Sequence, residues 1–170
     1  MTSGRVKKMF ALLAALAVGL GFAATTSAAP PAGLQWEVHG TGNGPMSLAG
    51  GSSSGPAMPQ YIGNATYFLD FNVPAPTASN GATGFCEFIT GDGTIEAADG
   101  SRIFFNTVGT LCNEATAASF LHYNGTYRIT NGDGRFIGVA GGGSLTLTAP
   151  TNPLGGSPHF FKIDGTITGI

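Results

Sequence analysis

The sequence predicts an all-β domain: an antiparallel meander that closes as a barrel or pairs as a sandwich. Three observations lead there. Apolar and polar residues alternate with period two in segment after segment, the mark of strands with one buried face. Asp-Gly, Asn-Gly and Pro/Gly clusters separate these segments. No stretch carries apolar residues convincingly at helical spacing. Composition excludes several other classes. Of 170 residues, 28 are glycine and only 9% are charged, against about 25% in a typical soluble domain. Coiled coils and charged disordered tails need more charge. A formal net charge of −2 gives no general attraction to phosphate backbones, so nucleic acid is not an expected partner.

The elements follow in chain order. Arg5, Lys7 and Lys8 precede an uncharged apolar run, Met9 to Ala24, and then the small residues Thr25 to Ala29. This is the layout of a cleavable secretory signal peptide over residues 1–28, cut after Ala28. The apolar run is short for the roughly 20 residues of a membrane span. No later segment is long and apolar enough for one, so no membrane span is expected once the leader is removed. The expected location is secreted or periplasmic. Without the leader, Arg102, Arg128, Arg135 and Lys162 stand against nine acidic residues, which makes the mature chain mildly acidic. Residues 29–170 read as a single domain, with residues 29–62 as a first strand and a loop and residues 63–170 as the body.

Leu34, Trp36 and Val38 alternate with Gln35, Glu37 and His39 as a first strand. Gly40 to Gln60 holds six glycines, four serines and three prolines. Too few apolar side chains are present there to offset ordering entropy, and the segment reads as a mobile loop. Ala65 to Val73 alternates as a strand that Pro74 and Pro76 end. Phe85 to Ala97 is extended, with Gly91-Asp92-Gly93 as a hairpin or a bulge inside it. Ala98-Asp99-Gly100 is a turn into the strand Ser101 to Thr110. Asn113 to Phe120 reads as a loop or single turn, and Phe120 to Thr130 as a strand. The turn Asn131-Gly132-Asp133-Gly134 leads to a short Arg135-Phe136-Ile137 piece. Ser144 to Ala149 and His159 to Thr168 are the last strands, joined by a Pro/Gly loop. Closure as a barrel would remove the unpaired edges that a lightly charged exported protein tolerates poorly.

Cys86 and Cys112 are the only cysteines. In an oxidising compartment the expected state is a disulfide, with two free buried thiols or a catalytic thiol as alternatives. No CxxC and no His/Cys cluster is present, so neither a metal site nor a cofactor is expected.

Gly125-Thr126-Tyr127 through Gly141 reads as a GTYxITxGxGRFxGxxG element, preceded by the Gly93-Thr94-Ile95 and Ala98-Asp99-Gly100 hairpin and followed by Gly165-Thr166-Ile167-Thr168-Gly169. Over residues 84–169 the chain resembles the small secreted bacterial proteins of the allene oxide cyclase-like barrel group, related in fold to plant dirigent proteins. The resemblance implies an eight-stranded antiparallel, calycin-like barrel with a central apolar cavity, and it is compatible with a homo-oligomer. Many such members have no assigned activity. In the element itself, Gly132, Gly134 and Gly138 permit sharp turns. Phe136 can plug a barrel end, and Arg135 can hydrogen-bond carbonyls freed by the irregular path. These roles are structural.

Strand parity selects the candidates for chemistry. Glu87 lies between Phe85 and Ile89. Facing inward it would be a carboxyl in an apolar setting, a general acid or base; facing outward it would be a solvated side chain. Tyr67, Tyr123 and Tyr127 share the parity of Leu69, Leu121 and Ile129 and could offer hydroxyls to a ligand, or simply belong to the core. Asn106, between Phe104 and Val108, is a further candidate of the same kind. His122 and Arg128 read as solvent-facing or part of an oligomer surface, and His39 and His159 as ordinary surface residues. No Ser/His/Asp triad and no glycosidase carboxylate pair can be assembled. The expected function is binding of a small apolar molecule in the barrel. The alternatives are a cofactor-free cyclase or isomerase, or a dirigent-like protein controlling stereochemistry, and a structural or surface-interaction protein with a filled barrel.

Overall fold

The computed structural model describes residues 33–73, 84–113, 120–151 and 158–170. The predicted leader, Pro74 and Pro76, and the centres of the predicted loops at Asn113 to Phe120 and Pro150 to Pro158 lie outside the described residues. The described residues form nine strands: β1 Leu34–Gly42, β2 Met46–Ser47, β3 Gly50–Pro59, β4 Ala65–Asn72, β5 Cys86–Ala97, β6 Arg102–Asn113, β7 Phe120–Gly132, β8 Ala140–Pro150 and β9 His159–Thr168. The one helical piece among the described residues is a 3-10 turn, Gly134–Phe136. All pairings are antiparallel, in the order β1-β9-β8-β7-β6-β5-β4-β3-β2. A further β1–β3 pairing closes the sheet on itself. The result is an eight-stranded antiparallel barrel, with β2 as an extension of its seam. No described helix is long and apolar enough to cross a membrane.

The seam overturns one expectation. The Gly/Ser/Pro-rich stretch is an ordered hairpin, and its register is continuous: Val38 faces Pro59, Gly40 faces Ala57, Asn43 faces Ser54, and Met46 faces Gly51. Leu48 and Ala49 form the two-residue turn, and Gly50 follows with φ +104°. The glycines are there for proximity. A Cβ on Gly44 would lie 2.0 Å from the Ser52 carbonyl oxygen, and one on Gly55 would lie 2.1 Å from that of Thr41. Main-chain pairing on both sides supplies the ordering energy that side chains lack.

The Gly91-Asp92-Gly93 segment is neither a hairpin nor a bulge. β5 runs through it in unbroken register with β4 and β6. The irregularity falls instead on β7, where the register against β6 shifts between Phe104 and Phe105 and Thr130 is the extra residue.

Large inward side chains meet inward glycines. A Cβ on Gly93 would lie 2.2 Å from the Phe105 ring, and one on Gly40 would lie 2.9 Å from the Tyr67 ring. Small residues on one strand thus make room for rings from another, so the taper of a small barrel is filled. Tyr67 stacks on Phe161 at 4.6 Å, Phe71 meets Tyr123 at 5.0 Å, and Tyr127 lies edge-on to Trp36 at 6.1 Å and Phe105 at 5.8 Å. One barrel end, which we call the upper end, is stopped by the 3-10 turn. Phe136 is buried there, and Gly134 (φ +59°) sits against Ser101. Arg135 Nη2 donates to the Ile62 carbonyl at 3.1 Å, and its Nε lies 3.4 Å from Asp99. Asp133 accepts from the Arg102 guanidinium and main-chain N–H.

Cys86 and Cys112 face each other across β5 and β6 on the outer wall and form a disulfide. Replacing both by serine should lower stability by up to about 3.5 kcal/mol, the chain-entropy value for this loop, read from denaturant unfolding. Gly93→Val should cost roughly 1–3 kcal/mol through overpacking against Phe105; an unchanged unfolding midpoint would refute the glycine–ring account.

Candidate functional site

Inner-wall parity is set by the large apolar residues of each strand, and it sorts the candidates. On β5, Glu87 is 3% exposed and points inward with Ile89, while Phe88 and Phe85 are exposed. The inward alternative for Glu87 is therefore the one realised. On β6 the inward residues are Ile103, Phe105, Thr107 and Leu111. This corrects the placement of Asn106, which lies on the outer wall and bonds Asp92. Phe104 and Val108, which suggested otherwise, are themselves outward: Phe104 carries the Arg102 guanidinium at 5.3 Å, and Val108 is exposed. Arg128 is exposed, and His122 is partly buried with Nδ1 on Thr148.

The three tyrosines are all buried. Tyr123 shares its hydroxyl with Thr107 Oγ1 at 2.6 Å, and Thr107 donates on to the Thr126 carbonyl at 2.8 Å. Tyr67 bonds Ser53 Oγ at 2.8 Å. The Tyr127 hydroxyl is buried without a partner, as is Trp36 Nε1 beside it. Burial raises the pKa of each phenol, most strongly for Tyr127, where Asp164 adds to the effect. All three therefore stay protonated near neutral pH.

His159 is the largest correction. It is fully buried at the start of β9, paired across from Gly42 of β1. Its Nδ1 lies 2.8 Å from Ser53 Oγ. A chain Tyr67–Ser53–His159 thus links β4, β3 and β9 inside the barrel, and His159 Nε2 is buried with no hydrogen-bond partner. Parity could have found it, because His159 shares the face of Phe161 and Ile163. Ser53 gave no such signal: it lies in the low-complexity stretch, and only the seam places it. Thr107 could have been read from Phe105.

The buried polar residues are unevenly distributed. Glu87, Asn113 and His159 lie at the lower end, where β6 finishes and β5 and β9 begin; Ser53 reaches the same region from β3. At the upper end Phe136, Ile167 and Ala97 are apolar, and Ser101 is the buried polar residue. A separate groove of about 370 Å³ crosses the outer wall between Met58, Pro56, Phe160 and Thr148. Among the described residues no cluster of His, Cys, Asp and Glu could hold a metal ion. Searches of protein-family models, curated proteins and solved structures found nothing that matches this chain.

Burial holds the His159 imidazole below its ordinary value of 6.5. The unfolded chain then takes up a proton near pH 6.5 that the native chain refuses, so this residue makes stability fall as pH drops below about 6.5. Glu37, Asp99 and Asp133, held low by Lys162, Ser101 and Arg102, act only in the lower carboxylate range. The unfolding midpoint should decline from about pH 7 to 5. That decline should be absent in His159→Phe; if it persists there, another group is responsible.

Proposed function

We propose that this chain is an exported small-barrel protein that binds a small, mainly apolar molecule at the polar lower end of its barrel, akin to the allene oxide cyclase-like group it resembles. The observation that carries the reading is the buried, unpartnered His159 Nε2 on the inner wall. Leaving a polar group buried and unpaired costs about 1–3 kcal/mol, a cost a bound molecule would relieve. Export through the leader ending at Ala28 accords with the disulfide, which persists in oxidising compartments. Glu87, buried on the inner wall, supports the alternative of a cofactor-free isomerase or cyclase, in which its carboxyl would exchange the proton. The packing of Phe105 on Gly93 and Tyr67 on Gly40 favours a second reading, a filled barrel acting through its surface.

Native mass spectrometry of the protein purified from its own source separates these readings. A reproducible adduct of small-molecule mass, released on denaturation, is the expected result. Bare chain in repeated preparations would favour the filled barrel.

A further inference from the structure

The hydrogens of the buried chain can be counted. Tyr67 keeps its phenolic proton and has one hydrogen-bond partner, Ser53 Oγ at 2.8 Å. Ser53 in turn has two, Tyr67 and His159 Nδ1 at 2.8 Å. A hydroxyl has one hydrogen to give, and a neutral imidazole has one N–H and one bare nitrogen. If His159 Nδ1 carried a proton it would donate to Ser53, Ser53 would donate to Tyr67, and the Tyr67 hydrogen would be buried with no acceptor. Run the other way, Tyr67 donates to Ser53 and Ser53 donates to His159 Nδ1, so both hydroxyl hydrogens are used and only the imidazole's own hydrogen is left over, where the first arrangement leaves both the Tyr67 hydrogen and a bare Nε2 unpaired. The proton of the imidazole then sits on Nε2, which is buried and has no partner.

We propose that the Tyr67–Ser53–His159 chain locks His159 in the Nε2–H tautomer and presents that N–H, as a hydrogen-bond donor, to an acceptor oxygen of a predominantly apolar ligand. This rests on the binding role given above and names the chemistry of its polar anchor. The neighbouring side chain on the same face of β9 is apolar: Phe161, which stacks on Tyr67. A carbonyl or ether oxygen satisfies the donor, whereas a hydrocarbon leaves it unpaired. Ser53 and Tyr67 are positioning residues, because they act through the imidazole.

The test has one arm without a ligand and one with. In the full mature chain labelled with 15N-histidine, long-range 1H–15N correlation reads the tautomer of each ring, and His159→Phe identifies the His159 signals. The expected result is Nε2–H for His159. A protonated Nδ1 overturns the proposal and leaves the broader binding role standing. In the second arm, 2-heptanone and heptane are titrated separately. The ketone should bind about tenfold more tightly, the scale of one buried hydrogen bond, and should shift the His159 Nε2–H resonance. Equal affinities, or a ketone preference kept in His159→Phe, overturn the proposal. Failure of both probes to bind counts against the binding role itself and removes the proposal with it. If His159→Phe does not fold, Ser53→Ala replaces it. That variant should show mixed tautomers and a reduced ketone preference, and an unchanged Nε2–H tautomer would overturn the locking role of Ser53.

Discussion

The β1–β3 seam is the constraint on which the rest of the structure depends. Without it the sheet would be open, with two rows of unpaired main-chain groups and little charge to protect them. With it, each strand of the barrel has a neighbour on both sides and one continuous inner surface is enclosed. The seam is built from the least distinctive part of the sequence. Serine and glycine suit it because two hairpin strands approach so closely that side chains at Gly44 and Gly55 would collide with carbonyl oxygens. Its energy comes from main-chain hydrogen bonds, which any residue but proline can donate.

The seam also makes the candidate site. Ser53 belongs to β3, His159 to β9 and Tyr67 to β4; the first two are 106 positions apart in sequence. Closure brings them together, and burial then sets their chemistry. An imidazole removed from water stays neutral more readily, and a phenol removed from water keeps its proton. Both effects push the chain toward one pattern of donors and acceptors. The same enclosure explains why the upper end can be stopped by one phenylalanine and a short turn, held by Arg135 on the Ile62 carbonyl.

Much of this was legible in the alternation of residues. The strands from Ala65 onward, the turn at Asp99-Gly100 and the structural role of Arg135 and Phe136 follow from local pattern, and the disulfide from there being only two cysteines in an expected oxidising compartment. Parity also placed Tyr67, Tyr123 and Tyr127 on the inner wall. It failed at Asn106, because a run with apolar residues on both parities, Phe104 and Phe105, does not declare which faces in. His159 reads as a surface residue because it stands at a strand end beside a Pro/Gly loop; only its parity with Phe161 points inward.

By itself the sequence determined the class of fold and the position of most strands, since periodicity and turn residues act over a few positions at a time. Tertiary structure alone decided that the glycine-rich segment is a strand pair, that the sheet closes, and that Ser53, Tyr67 and His159 form one chain. These are contacts between residues far apart along the chain. They arise from main-chain pairing and close packing, which depend on backbone geometry and leave almost no trace in side-chain pattern.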